Sequence, residues 1–360
     1  IQKLSISAEI QIIPKKTLII FDEIQEAPPA LTSLKYFQEK KNEYHIIATG
    51  SLLGIKLKED FSFPVGKVNI MHLYPLSFIE FLNGIERNML VELLKTKNDF
   101  IKLEKNFHNE LIEYLKIYFY IGGMPEAINM YIKYKDLNKV REVQKEILQG
   151  YEADFAKHTS KANALRISNL WNSIPAQLAK ESKKFVYSIV DKNTRHRDLF
   201  EALHWLLESG LIHKNILIKR PSFPLKAYIE ENMFKVFLLD IGLLGALVNL
   251  SAKVIIEGSS LFSIFNGAFT ENFAAQELIA NQKGDLYYWK SKNIAEIDFL
   301  LEKDDEIIPL EVKAGINKKA KSLKVYNDKY KPKTIYRLSL SNFSQNNNFF
   351  DLPLYAVILL

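Results

Sequence analysis

The chain has 360 residues, 48% hydrophobic and 25% charged, enough for two or three ordinary domains. It contains no cysteine, which excludes disulfides, thiolate zinc sites and cysteine nucleophiles and fits a reducing, cytoplasmic setting. A net charge of +6 leans only slightly toward nucleic acid, and the longest apolar stretch, residues 236–248 with Asp240 inside it, is too short to cross a bilayer.

In chain order, Leu18-Ile-Ile-Phe is an apolar run ending in Asp22-Glu23, and it predicts a buried parallel strand with two acids at its carboxyl edge. The Pro28-Pro29 turn opens an amphipathic helix over residues 30–40. Residues 44–48 predict a second buried strand, ending in Thr49-Gly-Ser51. Strand, helix and strand in about thirty residues argue for an α/β sheet. Two strand tips ending in an acid pair and in hydroxyls resemble those of P-loop ATPases, and the resemblance implies Asp22 on Mg²⁺, Glu23 on the attacking water and Thr49 or Ser51 as the sensor hydroxyl.

Residues 76–160 have helical spacing, broken at Ile121-Gly-Gly-Met-Pro-Glu126. Residues 160–220 predict a small winged-helix-like unit: a helix over 197–209 stopped by Gly210, a strand over 211–218, and a loop marked by Pro221 and Pro224. Arg195, His196 and Arg197 at that helix start suit either DNA or packing between domains.

Strands return after Tyr228. Residues 285–290, 296–302 and 307–313 predict an antiparallel set with a hairpin at Asp304-Asp305, and residues 334–338 and 354–359 predict two more strands. Glu311 and Lys313, two apart on a strand, share a face, and the hairpin can bring Asp298 beside them. Two carboxylates can hold Mg²⁺ and an ammonium can stabilise a charged transition state. This pattern resembles the PD-(D/E)XK nuclease superfamily, with Glu271 on a preceding helix as the further acid. Lys318, Lys319, Lys321, Lys324, Lys329, Lys331 and Lys333 then form either a phosphate-facing or a solvated surface.

Asp22-Glu-Ile-Gln25, Thr49-Gly-Ser-Leu-Leu53, Leu73-Tyr-Pro-Leu-Ser-Phe-Ile-Glu-Phe-Leu82, Tyr120-Ile-Gly-Gly-Met-Pro-Glu126 and Phe237-Leu-Leu-Asp-Ile-Gly-Leu-Leu244 together resemble a family of prokaryotic AAA+ ATPases, near the archaeal-type ATPases, with a C-terminal domain of unknown function. The resemblance implies an α/β protein of three parts. These are a partial P-loop AAA+ core over 1–85, a helical and winged-helix middle over 86–225, and a PD-(D/E)XK-like α/β domain over 226–360. It implies Mg²⁺ and ATP as cofactors, a C-terminal part that binds DNA or a partner protein, and a homo-oligomer as one option. The rival expectation is a Mg²⁺-dependent nuclease on Asp298, Glu311 and Lys313, and a third is a binding module without catalysis.

The family carries a Gly-rich phosphate loop upstream, yet none of the fourteen glycines sits in G-x-x-x-x-G-K-[ST]. The chain starts at Ile1, so the loop is expected in a preceding segment and ATP binding by residues 1–360 alone is expected to be weak. Gly66-Lys67 stands where relatives place Gly-Arg, and Lys does not reproduce the two-pronged phosphate contact of Arg.

Overall fold

The computed structural model describes residues 1–360 except 51–65, 98, 181, 192–195, 257–265, 282–283, 292–293 and 316–320, and the side chains of 158, 196, 255, 256 and 266. Two compact units emerge, one of Ile1–Leu73 with His204–Gly210, the other of Tyr74–Leu203 with Leu211–Leu360. The protein is mixed α/β, as the sequence predicts.

In the first unit, helix α1 (Gln2–Ala8) precedes strand β1 (Leu18–Phe21), helix α2 (Pro28–Lys40) and strand β2 (His45–Ala48). The proline pair occupies the first turn of α2, where a missing N–H costs nothing. β1 and β2 pair in parallel, Leu18 opposite His45 through Phe21 opposite Ala48. Phe21, Ala30, Ile46 and Ala48 pack on buried Ile24, Leu31 and Leu34, so α2 covers one face. Leu18, Ile20 and Ile47 point the other way and are 50%, 60% and 50% exposed. Both strands are where the sequence puts them, but they are half-buried rather than buried. A parallel strand is buried on both faces only when helices cover both, and among the described residues α2 covers one.

The second unit is built on an eight-stranded mixed sheet in the order β4-β3-β5-β6-β7-β8-β10-β9. The strands are β3 (Ile212–Ile218), β4 (Ile229–Leu238), β5 (Leu286–Lys290), β6 (Glu296–Lys303), β7 (Glu306–Val312), β8 (Ile335–Ser339), β9 (Ser344–Asn346) and β10 (Phe349–Pro353). β5, β6 and β7 form the expected antiparallel set, and Asp304 and Asp305, both at positive φ, make the tight turn between β6 and β7. β3 and β4 form a hairpin around the Pro221–Pro224 loop, but β3 also pairs in parallel with β5, so this hairpin belongs to the large sheet. Residues 354–359, expected as a strand, form a 3₁₀ helix with Leu354, Tyr355, Ala356 and Val357 buried. An unbroken apolar run reads the same for a buried strand or a buried helical turn.

The further helices are α3 (Phe78–Gly84), α4 (Asn88–Lys95), α5 (Lys105–Ile121), α6 (Pro125–Tyr134), α7 (Leu137–His158), α8 (Lys161–Leu178), α9 (Tyr187–Val190), α10 (His196–Glu208), α11 (Ile241–Leu247), α12 (Ala252–Ile256), α13 (Asn266–Ala280) and α14 (Lys321–Tyr330). α14 lays Leu323 and Tyr326 on a core of Trp289, Ile297, Leu300 and Ile335. α13 packs against β4 and β7 and buries Thr270, Glu271, Asn272, Gln276 and Glu277, an unusual load of polar groups that has to be answered by partners.

Those partners explain three of the motifs. Asp240 at the start of α11 is fully buried and accepts from Leu243 N at 2.9 Å and from Gly123 N at 2.6 Å. Gly123 O in turn accepts from Leu76 N at 2.8 Å, and Tyr118 donates its hydroxyl to Leu76 O at 2.5 Å. Ser77 and Glu80 form a reciprocal capping box on α3, whose Phe78 N donates to Glu277 Oε1 at 2.7 Å. Gln276 closes the network, accepting from Ile241 N and donating to Tyr118 Oη, both at 2.8 Å. The Pro-Leu-Ser-Phe, Gly-Gly-Met-Pro and Leu-Leu-Asp-Ile-Gly segments are thus one interlocked joint within the second unit. A Cβ on Gly123 would lie 2.1 Å from Leu76 O, so only glycine fits there.

Candidate functional site

At the strand tips of the first unit, Thr49 donates its hydroxyl to Asp22 Oδ1 at 2.5 Å. Backbone bonds set this pair: Thr49 N donates to Phe21 O at 2.8 Å and Ile24 N to Thr49 O at 3.0 Å, which continue the parallel ladder past its last residues. Glu23 adopts a left-handed φ of 47° that turns the chain into a 3₁₀ turn, and its N–H donates to Asp22 Oδ1 at 3.2 Å. Its carboxylate accepts from the Gln25 amide. Asp22 and Glu23 are exposed, and both of Asp22's hydrogen bonds fall on Oδ1. The expected pairing of an acid and a hydroxyl across two strand tips is therefore present for Asp22 and Thr49. Ser51 lies outside the described residues.

These residues fit the metal-facing side of a Mg²⁺-nucleotide: a hydroxyl-oriented carboxylate at the carboxyl ends of parallel strands. They do not supply the phosphate-facing side, since no Gly-rich loop occurs in the sequence.

A second candidate site lies in the other unit, a polar cavity of about 800 Å³. Glu271, Asp298, Glu311 and Lys313 all line it, as do Lys183 and Glu296. Phe299 faces Leu310 across β6 and β7, which places Asp298 and Glu311 as the next pair along. Lys313 Nζ lies 2.7 Å from Glu311 Oε1, on the face the spacing predicts. Arg195, Lys318 and Lys319 lie outside the described residues, and so does the side chain of His196.

Lys235 on β4 is the group that sequence reading missed. It is fully buried, with Nζ 2.7 Å from Glu296 Oε1, 3.4 Å from Glu271 Oε2 and 3.8 Å from Asp298 Oδ1. A signal existed: one lysine inside Phe234-Lys-Val-Phe-Leu238, a strand otherwise apolar on both faces, cannot be buried without carboxylate partners. Burial disfavours its ammonium, but Glu271, Asp298 and Glu296 outweigh that and hold it protonated above the ordinary lysine range. Burial likewise raises the Asp298 carboxyl, with Glu271 adding to it, and raises Glu311 more than Lys313 lowers it. For Glu271 the two lysines, Lys235 and Lys183, win over burial and its pKa falls.

The two expected Mg²⁺ ligands, Asp298 and Glu311, are already engaged. Asp298 Oδ2 accepts from Val312 N at 2.8 Å, Oδ1 faces Lys235, and Glu311 Oε1 pairs with Lys313. Lys183 takes Glu271 Oε1, and Lys290 lies 3.3 Å from Glu296 Oε2. Among the described residues only Glu311 Oε2 in this set is buried without a hydrogen-bond partner. No group of three or more His, Asp or Glu side chains among the described residues is arranged to hold a metal ion. The donor set does not fit a divalent cation.

Residues 2–82 match a family described as AAA domain, residues 112–254 a domain of unknown function (DUF8612), and residues 266–357 a domain of unknown function (DUF4143). The N-terminal part of the chain is thus similar to AAA domains and its C-terminal part to DUF4143 domains. The AAA-type match spans both Asp22 and Thr49, and the DUF4143 match spans Glu271, Asp298, Glu311 and Lys313 but not Lys235. The chain is also similar to a solved structure titled the Walker-type ATPase PABY2304 of Pyrococcus abyssi, at 15% identity and a TM-score of 0.40, covering 69% of this chain and 75% of that one. No curated protein matches it. Among the described residues no helix is long and apolar enough to cross a membrane.

Proposed function

We propose that this AAA-type protein is an ATP-driven switch in which Asp22, Glu23 and Thr49 form the metal- and water-facing edge of the nucleotide site. Asp22 would hold Mg²⁺, through water or directly, with the free oxygen of its carboxylate. Mg²⁺ supplies charge neutralisation on the phosphates when bound. Thr49 fixes the carboxylate rotamer, so the acid meets the metal without first paying orientational entropy. Glu23 is the group placed to polarise a water, after release from Gln25. Ser51 is a second sensor hydroxyl in the same reading. The observation that carries it is the Thr49–Asp22 hydrogen bond at 2.5 Å across two parallel strand tips.

The second unit, in this reading, responds to the switch and binds a partner protein or nucleic acid through its polar cavity and the lysines around it. Metal-dependent cleavage on Asp298 and Glu311 is not favoured, because three of their four carboxylate oxygens already have an N–H or ammonium partner. The test is Mg-ATP binding and hydrolysis by the protein. Asp22→Asn is expected to abolish hydrolysis and weaken Mg-ATP binding. Glu23→Gln is expected to abolish hydrolysis while retaining binding. Hydrolysis at the unmodified rate in both variants would overturn the assignment.

A further inference from the structure

Independently of the ATPase reading, we propose that Lys235 is the resident cation of the DUF4143-side cavity, occupying the position between carboxylates that a divalent metal would otherwise take and closing the cluster to such metals. Four carboxylates converge in a small volume, Glu271 from α13, Glu296 and Asp298 from β6 and Glu311 from β7. So many buried anions need positive charge at their centre. Lys235 Nζ supplies it, sitting between 2.7 and 3.8 Å from three of them.

Geometry makes this cation exclusive. The side chain is fully buried and its ammonium also lies 5.0 Å from the Tyr288 ring centre, held among its carboxylates and away from water. A Mg²⁺ ion needs oxygens at about 2.0–2.1 Å in an octahedral shell. Seven of the eight carboxylate oxygens already have an N–H or ammonium partner, leaving Glu311 Oε2. A dication entering there would also meet the ammonium charge at close range in a poorly screened interior. Lys235 additionally ties β4 to β6 and α13, which fixes the cavity's shape without a metal.

The experiment is Mn²⁺ binding followed by electron paramagnetic resonance, in an Asp22→Ala background that silences the other acidic site. The protein with Lys235 intact is expected to show no saturable Mn²⁺ binding into the millimolar range. Lys235→Ala is expected to gain about ten- to a hundredfold in Mn²⁺ affinity, the scale on which supporting groups tune metal sites. It should also lose that gain when Asp298→Asn is added. Saturable binding with Lys235 intact that Asp298→Asn removes overturns the proposal, and so does a folded Lys235→Ala protein with no gain. Should Lys235→Ala not fold, the protein with Lys235 intact decides by itself, with and without Asp298→Asn.

Discussion

Gly123 N donates to Asp240 Oδ2 at 2.6 Å, between residues 117 positions apart in the chain. The carboxylate is fully buried, and burial pushes its pKa up to about 6 against the pull of its N–H donors. Around it the joint of Leu76, Tyr118, Gln276 and Phe78 locks three short sequence motifs into one packed unit. That arrangement gives these motifs a structural role.

Gly123→Ala is expected to destabilise the second unit by about 3 kcal/mol, because the new Cβ meets a backbone oxygen that cannot move without breaking its own bonds. Gly150→Ala, mid-helix on α7 with nothing within 4 Å of the added methyl, is expected to stabilise by about 0.5–1 kcal/mol. Urea unfolding of both variants checks the contrast.

Glu277 gives a pH dependence with a definite sign. Burial, and then Glu80 nearby, raise its carboxyl from 4.5 to about 8 against the Phe78 N–H. The folded state therefore holds a proton that the unfolded state has lost over that window. Its contribution to stability is full below 4.5 and is lost as pH rises toward 8, at no more than about 1.4 kcal/mol per pH unit. Unfolding midpoints at pH 5 and pH 8 should show this fall, and Glu277→Gln should flatten it.

Thr49→Val removes the hydroxyl bond to Asp22 but keeps the backbone bonds to Phe21 and Ile24. Stability should shift by less than about 1 kcal/mol. ATP turnover should drop at least about tenfold as the carboxylate loses its fixed rotamer. A turnover assay beside a melting curve separates the two effects.

The half-exposed sheet makes two isoleucines four positions apart very unequal. Ile20 is 60% exposed and Ile20→Thr should cost less than about 0.5 kcal/mol. Ile24 is 2% exposed beneath α2, and Ile24→Ala should cost about 2–4 kcal/mol. Hydrogen exchange of the β1 and β2 amides reads both locally.

Local pattern carried much of this architecture. The apolar runs ending in Asp22 and Thr49, the Asp304-Asp305 turn and the i, i+2 pairing of Glu311 with Lys313 all depend on neighbours in sequence, and each is found where the spacing predicts. What escaped depends on distant partners. Lys235 meets its carboxylates 36 to 63 positions away, so no local rule flags its role beyond a charge misplaced in an apolar strand. The solvent-facing side of β1 and the 3₁₀ end of the chain escaped for the same reason, since which faces are covered is a tertiary fact. Whether the hairpin of β3 and β4 stands alone was equally illegible, because β5 pairs with β3 residues 71 positions earlier in the chain.

Helix α13 carries Glu271 toward the cavity and, six residues later, Glu277 toward Phe78. Six residues of α-helix rise about 9 Å and behave as a stiff bar. One helix thus lines the cavity at one end and, at the other, anchors the first turn of a segment nearly 200 positions earlier in the chain.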